Sequence, residues 1–267
     1  VALILEANPN LTYRDIEHII VQSSRVNDAN DNGWNVNGAG HDVSHKYGFG
    51  VIDASAAVAL AENWVNVDPE INFQSGLIDV PDRQIPDNSA PGISEITNVP
   101  DSIKVEHVEV IVDIDHSYRG DLEIILTSPS GTQSVLSEKH EDSGNNWNNW
   151  MFTSVHHWDE DSFGNWTLSI EDQGNGDTGT LFDWELNIYG TEINTDRDGD
   201  GLTNYDEVSI YGTDPDDIDT DDDQINDGDE IITKAHDSTF LHGITRNSIL
   251  TLARDMGMTV SERDLSV

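Results

Sequence analysis

Residues 191–230 hold 16 acidic side chains and a single basic one. A stretch like this cannot collapse around an apolar core, and without counter-cations its self-repulsion keeps it extended. Its carboxylates are not scattered. Asp196, Asp198 and Asp200 alternate, Gly201 follows at once, and Glu207 stands at the twelfth position of the same run. This is the calcium-loop pattern D-x-D-x-D-G-x5-E. Carboxylates at positions 1, 3 and 5 converge when the chain turns tightly, and Gly at position 6 permits the turn. The backbone carbonyl at position 7, here Leu202, adds an oxygen, and Glu at position 12 can bind through both of its own. A second copy starts 23 residues later, with Asp219, Asp221, Asp223, Ile225, Asp227 and Glu230 as the corresponding ligands. Gln224 replaces its glycine, so a costlier turn and weaker binding are expected. The repeat is internal. A plain solvated acidic linker would not place glycine and glutamate at these positions. Both loops are therefore expected to bind calcium, and that binding is expected to supply the folding energy of the segment.

The whole chain is acidic too: 52 Asp and Glu against 12 Lys and Arg among 267 residues, a net charge of −40. A polyanion of this kind is repelled by nucleic acid and by anionic membranes. It suits divalent cations and a saline medium that screens self-repulsion. Cysteine is absent, so disulfides say nothing about compartment. No apolar run reaches the roughly 18 residues of a spanning helix, and no basic region precedes the apolar start. Apolar residues make up 36% and there are seven Trp, enough for a packed core.

Texture divides the chain into five segments, 1–64, 65–100, 101–192, 193–230 and 231–267. The first reads as helix, helix, loop, helix. Asn8 and Pro9 break an apolar stub. Thr12 and Asp15 form a capping-box start, with Ile16, Ile19 and Ile20 on one face after it. Residues 27–40 are a polar loop, and Asp53 is the expected N-cap of an Ala-rich helix over 53–64. Residues 65–100 form a Pro-containing connection and the start of the β domain that fills 101–192. The third segment alternates with period 2: Val105, His107, Glu109, Ile111 and Asp113 against Glu106, Val108, Val110 and Val112. Further strands are expected at 122–126, 166–170 and 184–188, separated by turns at 128–131 and 172–177. The chain is thus expected to be mainly β, with a central jelly-roll sandwich, an α-helical remnant before it, and irregular calcium loops and a short α tail after it. In the tail the charge balances, four basic against four acidic, and 247–256 has helical texture.

Other clusters carry less. His41 and His45 have the i,i+4 spacing of a zinc pair but lack the H-E-x-x-H glutamate and lie in a Gly-flanked loop, so they read as packing or capping groups. His156 and His157, beside Trp158, read as structural. Asp113, Asp115 and Asp121 fit either a further calcium site or a solvated acidic turn. No G-x-S-x-G occurs.

Three stretches, ALILEANPNLT at 2–12, RDIEHIIV at 14–21 and VSHKYGFGVIDA at 43–54, resemble the end of a subtilisin-like serine protease domain of the kexin type. DIDHSYRGDLEI at 113–124, LTSPSGT at 126–132, FGNWTL at 163–168 and LFDWEL at 181–186 resemble the P domain, or Homo B domain, that follows such catalytic domains. Residues 194–230, including YGTDP at 211–215, look like bacterial thrombospondin type 3-like repeats. The resemblance implies an α/β catalytic domain as intramolecular partner, and peptide substrates reached through it. In that family the nucleophile lies in Gly-Thr-Ser-x-x-x-Pro, just upstream of the helix that Val1 enters, and the catalytic Asp and His lie further upstream. The chain has no Gly-Thr-Ser, so no catalytic residue and no proteolysis by this chain alone are expected.

The tail resembles another family. FLHGITRNSIL at 240–250, LARDMG at 252–257 and VSER at 260–263 are similar to class IV aminotransferases of the branched-chain type. There the turn matching Gly243, Ile244 and Thr245 would offer amides to the phosphate of pyridoxal phosphate. None of the lysines, Lys46, Lys104, Lys139 and Lys234, has the family's Schiff-base context, so no working cofactor site is expected and the tail reads as a chimeric join. Two readings of function follow. One is the non-catalytic C-terminal portion of a secreted or cell-surface, calcium-dependent serine endopeptidase, bacterial and salt-adapted. The other is a stand-alone calcium-binding adhesion module. A pyridoxal enzyme survives only as the origin of the tail.

Overall fold

Thr12 starts the first long helix as its sequence dictates. Its hydroxyl accepts from the Asp15 N–H at 3.2 Å, and the Asp15 carboxylate accepts from the Thr12 N–H at 2.6 Å, so two orphan donors are satisfied reciprocally. The computed structural model describes residues 1–193, 198–203, 207, 211–214, 217–220, 226, 230–234 and 259–263. Val1–Glu192 and Ile193–Val267 form separate compact units.

In the first unit, α1 (Ala2–Ala7) and α2 (Tyr13–Ser23) lead into β1 (Ser24–Arg25). Strands β2 (Trp34–Val36) and β3 (Asp42–Ser44) pair antiparallel across a polar loop, and β4 (Val51–Ile52) pairs with β1. Helix α3 (Ala54–Ala61) is capped by Asp53, which accepts from the N–H groups of Ser55 and Ala56, both at 3.0 Å. Ile4, Leu11, Ile19, Ala57 and Ala61 close a small core between the three helices.

The sandwich starts within residues 65–100. Strands β5 (Ile71–Gln74), β6 (Ile78–Ile85) and β7 (Ile93–Val99) come from the Pro-containing connection. After them run β8 (Ile103–His116), a 3-10 turn (Arg119–Asp121), β9 (Leu122–Thr127), β10 (Gln133–Ser137), β11 (Trp147–Ser154), β12 (Gly164–Asp172) and β13 (Gly179–Glu192). One antiparallel sheet has the order β10-β9-β12-β7. The other has the order β11-β8-β13-β5, with β6 also paired to β13. Their inner faces share one core, in which Trp166 and Trp184 are fully buried among Val110, Val112, Ile124 and Leu186.

The expected alternation of β8 holds from Val108 to Ile114 and fails at one place. Val105 and Val108 are both fully buried, and Glu106 stands between. Opposite it, the register of β13 jumps: Tyr189 faces His107 and Gly190 faces Val105. Glu106 is the extra residue of a β-bulge. Gly190 belongs to the same device, because a Cβ there would collide with the Lys104 carbonyl.

In the second unit, β14 (Glu230–Lys234) pairs in parallel with β15 (Thr259–Arg263), Glu230 opposite Thr259. The helical texture at 247–256 lies outside the described residues. Among the described residues no helix is long and apolar enough to cross a membrane.

Candidate functional site

The bulge aims the Glu106 carboxylate out of the sheet toward α2. Arg14 donates from Nε to one oxygen at 2.8 Å and from Nη2 to the other at 2.7 Å, a bidentate fork. His18, one turn along the same helix face, places Nε2 at 2.8 Å from Glu106 Oε1. All three side chains are buried. Burial alone would push the Glu106 carboxyl up; the hydrogen bonds from His18 and Arg14 outweigh it and hold the group below its ordinary value. Arg14 also donates to the Asp68 carbonyl at 2.8 Å.

A second contact lies beside it, made by the 155–162 segment. Asp159 accepts from His41 at 2.8 Å and pairs with Lys104 at 3.1 Å. Glu160 is 2% exposed and collects the hydroxyls of Ser128 (2.6 Å), Ser130 (2.8 Å) and Thr132, and the Gly38 N–H at 2.7 Å. Its burial is overcome by the His157 ring at 3.8 Å, these hydroxyls and the Gly38 amide, which bring its carboxyl down to about 2. Asn37 completes the contact by donating to the carbonyls of Trp158 (2.8 Å) and His156 (3.1 Å). Glycine at position 38 lets the loop press this close: a Cβ there would overlap the Ser130 side chain. Residues 1–64 are thus bound to the sandwich by buried charge and hydrogen bonds.

Sequence reasoning assigned no such role to Glu106, Asp159 or Glu160. A signal existed for Glu106, a carboxylate on the same phase as Val108, Val110 and Val112. For Glu160 there was none, because its partners come from three separate stretches of chain. The histidines behave as packing groups. His41 is held by Asp159, while His45 faces His156 edge-on at 6.4 Å. His157 is buried edge-on to Trp166 at 4.9 Å. Among the described residues Asp113, Asp115 and Asp121 are not gathered into a three-ligand cluster.

One such cluster is present. Ligand atoms of Asp198, Asp200 and Glu207 all lie within 4.8 Å of one another. Asp200 is buried and Glu207 fully so. Gly199 and Gly201, with φ of 83° and 101°, turn the backbone, and the Asp200 carboxylate accepts from the Leu202 N–H at 2.7 Å. The Glu207 N–H bonds back to Thr203 O at 2.9 Å, and Gly212, at φ 73°, donates to Glu207 O. Asp196 lies outside the described residues, as do Asp221, Asp223, Ile225 and Asp227, and Gly243, Ile244 and Thr245 in the tail. Asp219 is half-buried, and the backbone of Glu230 opens β14.

Residues 105–188 match the proprotein convertase P-domain family. The chain carries a proprotein convertase P domain. Over 200 residues it is 41% identical to mouse proprotein convertase subtilisin/kexin type 4, covering 72% of this chain and 30% of that protein. Human furin is 39% identical over 199 residues, covering 72% of this chain and 25% of furin. The chain therefore spans less than a third of the curated relatives it matches. The crystal structure of an Aeromonas sobria serine protease superposes with a TM-score of 0.66 at 25% identity, over 71% of this chain and 42% of the other. These matches run well beyond residues 105–188, so they include chain flanking the P domain. In this setting Glu106, Asp159 and Glu160 are the P domain's grip on residues 1–64.

Proposed function

We propose that this chain is the non-catalytic C-terminal portion of a kexin-like serine endopeptidase, and that its P domain stabilises the catalytic domain by holding the last part of it. The observation that carries this is the buried Arg14–Glu106–His18 contact, reinforced by the Glu160 cluster at Gly38. The exposed apolar residues of the first segment agree with it. Leu3, Leu5, Val51 and Ile52 face solvent, as side chains would where the rest of an α/β domain packs. The catalytic residues and the peptide-binding surface then belong to chain upstream of Val1.

The acidic segment is read as a calcium-bound spacer. Asp198, Asp200 and Glu207 offer only hard carboxylate oxygens, two of the three groups are buried, and the turn glycines let them converge. That donor set suits calcium better than a transition metal. When bound, the ion would neutralise charge that otherwise keeps the segment extended. Loops of this kind in extracellular modules work at high calcium, which supports a secreted or cell-surface location.

The test compares two proteins. A longer chain that includes the upstream coding sequence should contain Gly-Thr-Ser-x-x-x-Pro with an Asp and a His further upstream. It should cleave basic-site peptides and be stopped by a serine-directed inhibitor. The 267-residue chain should cleave none. Turnover by the shorter chain, or an upstream sequence without that motif, overturns the reading.

A further inference from the structure

A cleft of about 440 Å³ lies along the seam between α2 and the P domain. Ile20, Val21, Phe49 and Trp158 give it an apolar lining. Phe49 and Trp158 meet edge-on, with ring centroids 6.1 Å apart and planes at 72°. Trp158 is buried and is itself held edge-on to His18 at 4.8 Å, so this aromatic corner is fixed before any ligand arrives. Two carboxylates, Glu17 and Glu109, share the lining with the His107 ring, and no Lys or Arg does. Glu109 is oriented by the Tyr189 hydroxyl at 3.1 Å and the Asn187 amide at 3.4 Å, and Tyr189 stacks on His107 at 4.5 Å. Burial, and then the charge of Glu106, push the Glu17 carboxyl up, so added positive charge near it is favourable.

An aromatic corner attracts cations through the ring quadrupole, and carboxylates add charge complementarity. The apolar lining accommodates hydrocarbon, and the volume is that of a small-molecule site. An anion would meet two like charges. We infer that this cleft binds an organic cation with an apolar body, a primary ammonium or guanidinium carried on an aryl or alkyl group. Because Phe49 and Glu17 come from residues 1–64, while Glu109 and Trp158 come from the P domain, the occupant bridges both sides of the seam.

The experiment titrates the 267-residue chain, at fixed calcium, with 2-phenylethylammonium, with neutral 2-phenylethanol and with anionic 3-phenylpropionate. Calorimetry gives affinity, and amide and indole shifts give location. The ammonium compound should bind, with shifts centred on Phe49 and Trp158. The alcohol should bind about tenfold more weakly, and the carboxylate weaker still. Glu17→Gln is an exposed change that leaves the fold intact, and it should weaken the ammonium about five- to tenfold while leaving the alcohol unaffected. Phe49→Leu, at a half-buried position, should cost the ammonium about threefold or more. Equal affinity for all three probes, shifts away from Phe49 and Trp158, or unchanged ammonium affinity in both variants overturns the proposal, as does no binding at millimolar concentration.

Discussion

Arg14 and Glu106 lie 92 positions apart in sequence, yet the guanidinium grips both oxygens of the carboxylate, at 2.8 and 2.7 Å, with both side chains buried. A buried pair of this kind is weak evidence of net stabilisation, because desolvation offsets the attraction. Its worth lies in what happens when one partner is lost. Glu106→Gln leaves the buried guanidinium with only the more distant Glu70 carboxylate, at 4.0 Å, as a counter-charge and should cost about 3–5 kcal/mol. At roughly 2–4 °C per kcal/mol for a unit of this size, the melting temperature should fall by some 6–20 °C. The double change Arg14→Met with Glu106→Leu should recover only part of the loss, because the buried His18 Nε2 and the Asp68 carbonyl still lose their partners. Thermal and urea melts of the parent and these variants decide this; a Glu106→Gln melt within about 1 °C of the parent would mean the seam does not hold.

The same seam sets an acid limit. The Glu160 carboxyl falls from its ordinary 4.5 to about 2, and those of Glu106 and Asp159 are also depressed. A depressed carboxylate stabilises the fold above its unfolded value and loses that contribution as pH falls through the folded one. For Glu160 the window runs from about pH 4.5 down to about 2, and the contribution is of the order of 3 kcal/mol. In Glu160→Gln the stability at neutral pH should drop, and the slope over that window should flatten. Urea midpoints measured from about pH 7 to about pH 2 test the sign; a variant with the parent's slope refutes it.

Much of the local fold was legible in the sequence. Thr12, Asp15 and Asp53 announced the helix starts, because caps are chemistry between residues two or three apart. Alternation located β8, and the turn residues bounded β9, β12 and β13. The seam was not legible. Glu106 on an apolar phase pointed to something unusual, but the register jump at Tyr189 and Gly190 that makes it a bulge is set by pairing between strands far apart in the chain. Glu160 looks like one acid among 52 until Ser128, Thr132 and Gly38 fold around it. Local patterns predict local structure, whereas a site assembled from three distant stretches leaves no pattern in any one of them.

Gly38 tests how tightly the loop is pressed on the P domain. A Cβ at this position would overlap the Ser130 side chain and approach the Glu160 carboxylate at 3.2 Å. Gly38→Ala should therefore cost about 1–3 kcal/mol, in the manner of overpacking. Ser130→Gly removes the atoms in the way, at the cost of one hydroxyl to Glu160. The pair should couple, so that Gly38→Ala costs less in the Ser130→Gly background by about 1 kcal/mol or more. Additive effects in that double-mutant cycle would show that the loop stands off from Ser130.

The acidic loop makes the last prediction. Glu207 is fully buried and brings a carboxylate within 4.8 Å of the buried Asp200 and the half-buried Asp198, so three negative groups converge where water screens them only in part. A calcium ion held there is released as the loop unfolds, which couples affinity to folding. At a free concentration about one hundred times the dissociation constant, the ion should stabilise the segment by about 2.7 kcal/mol. Adding calcium should shrink the radius of gyration in solution scattering, and a chelator should reverse the change. Glu207→Gln removes the position-12 charge from the first loop alone, so calorimetry should lose one binding event and keep the weaker one that Asp219 opens. Sodium at matched ionic strength provides the control, since screening alone would compact the chain with either salt. Equal compaction by both salts, or an unchanged calcium isotherm in Glu207→Gln, would reduce the loop to a solvated acidic linker.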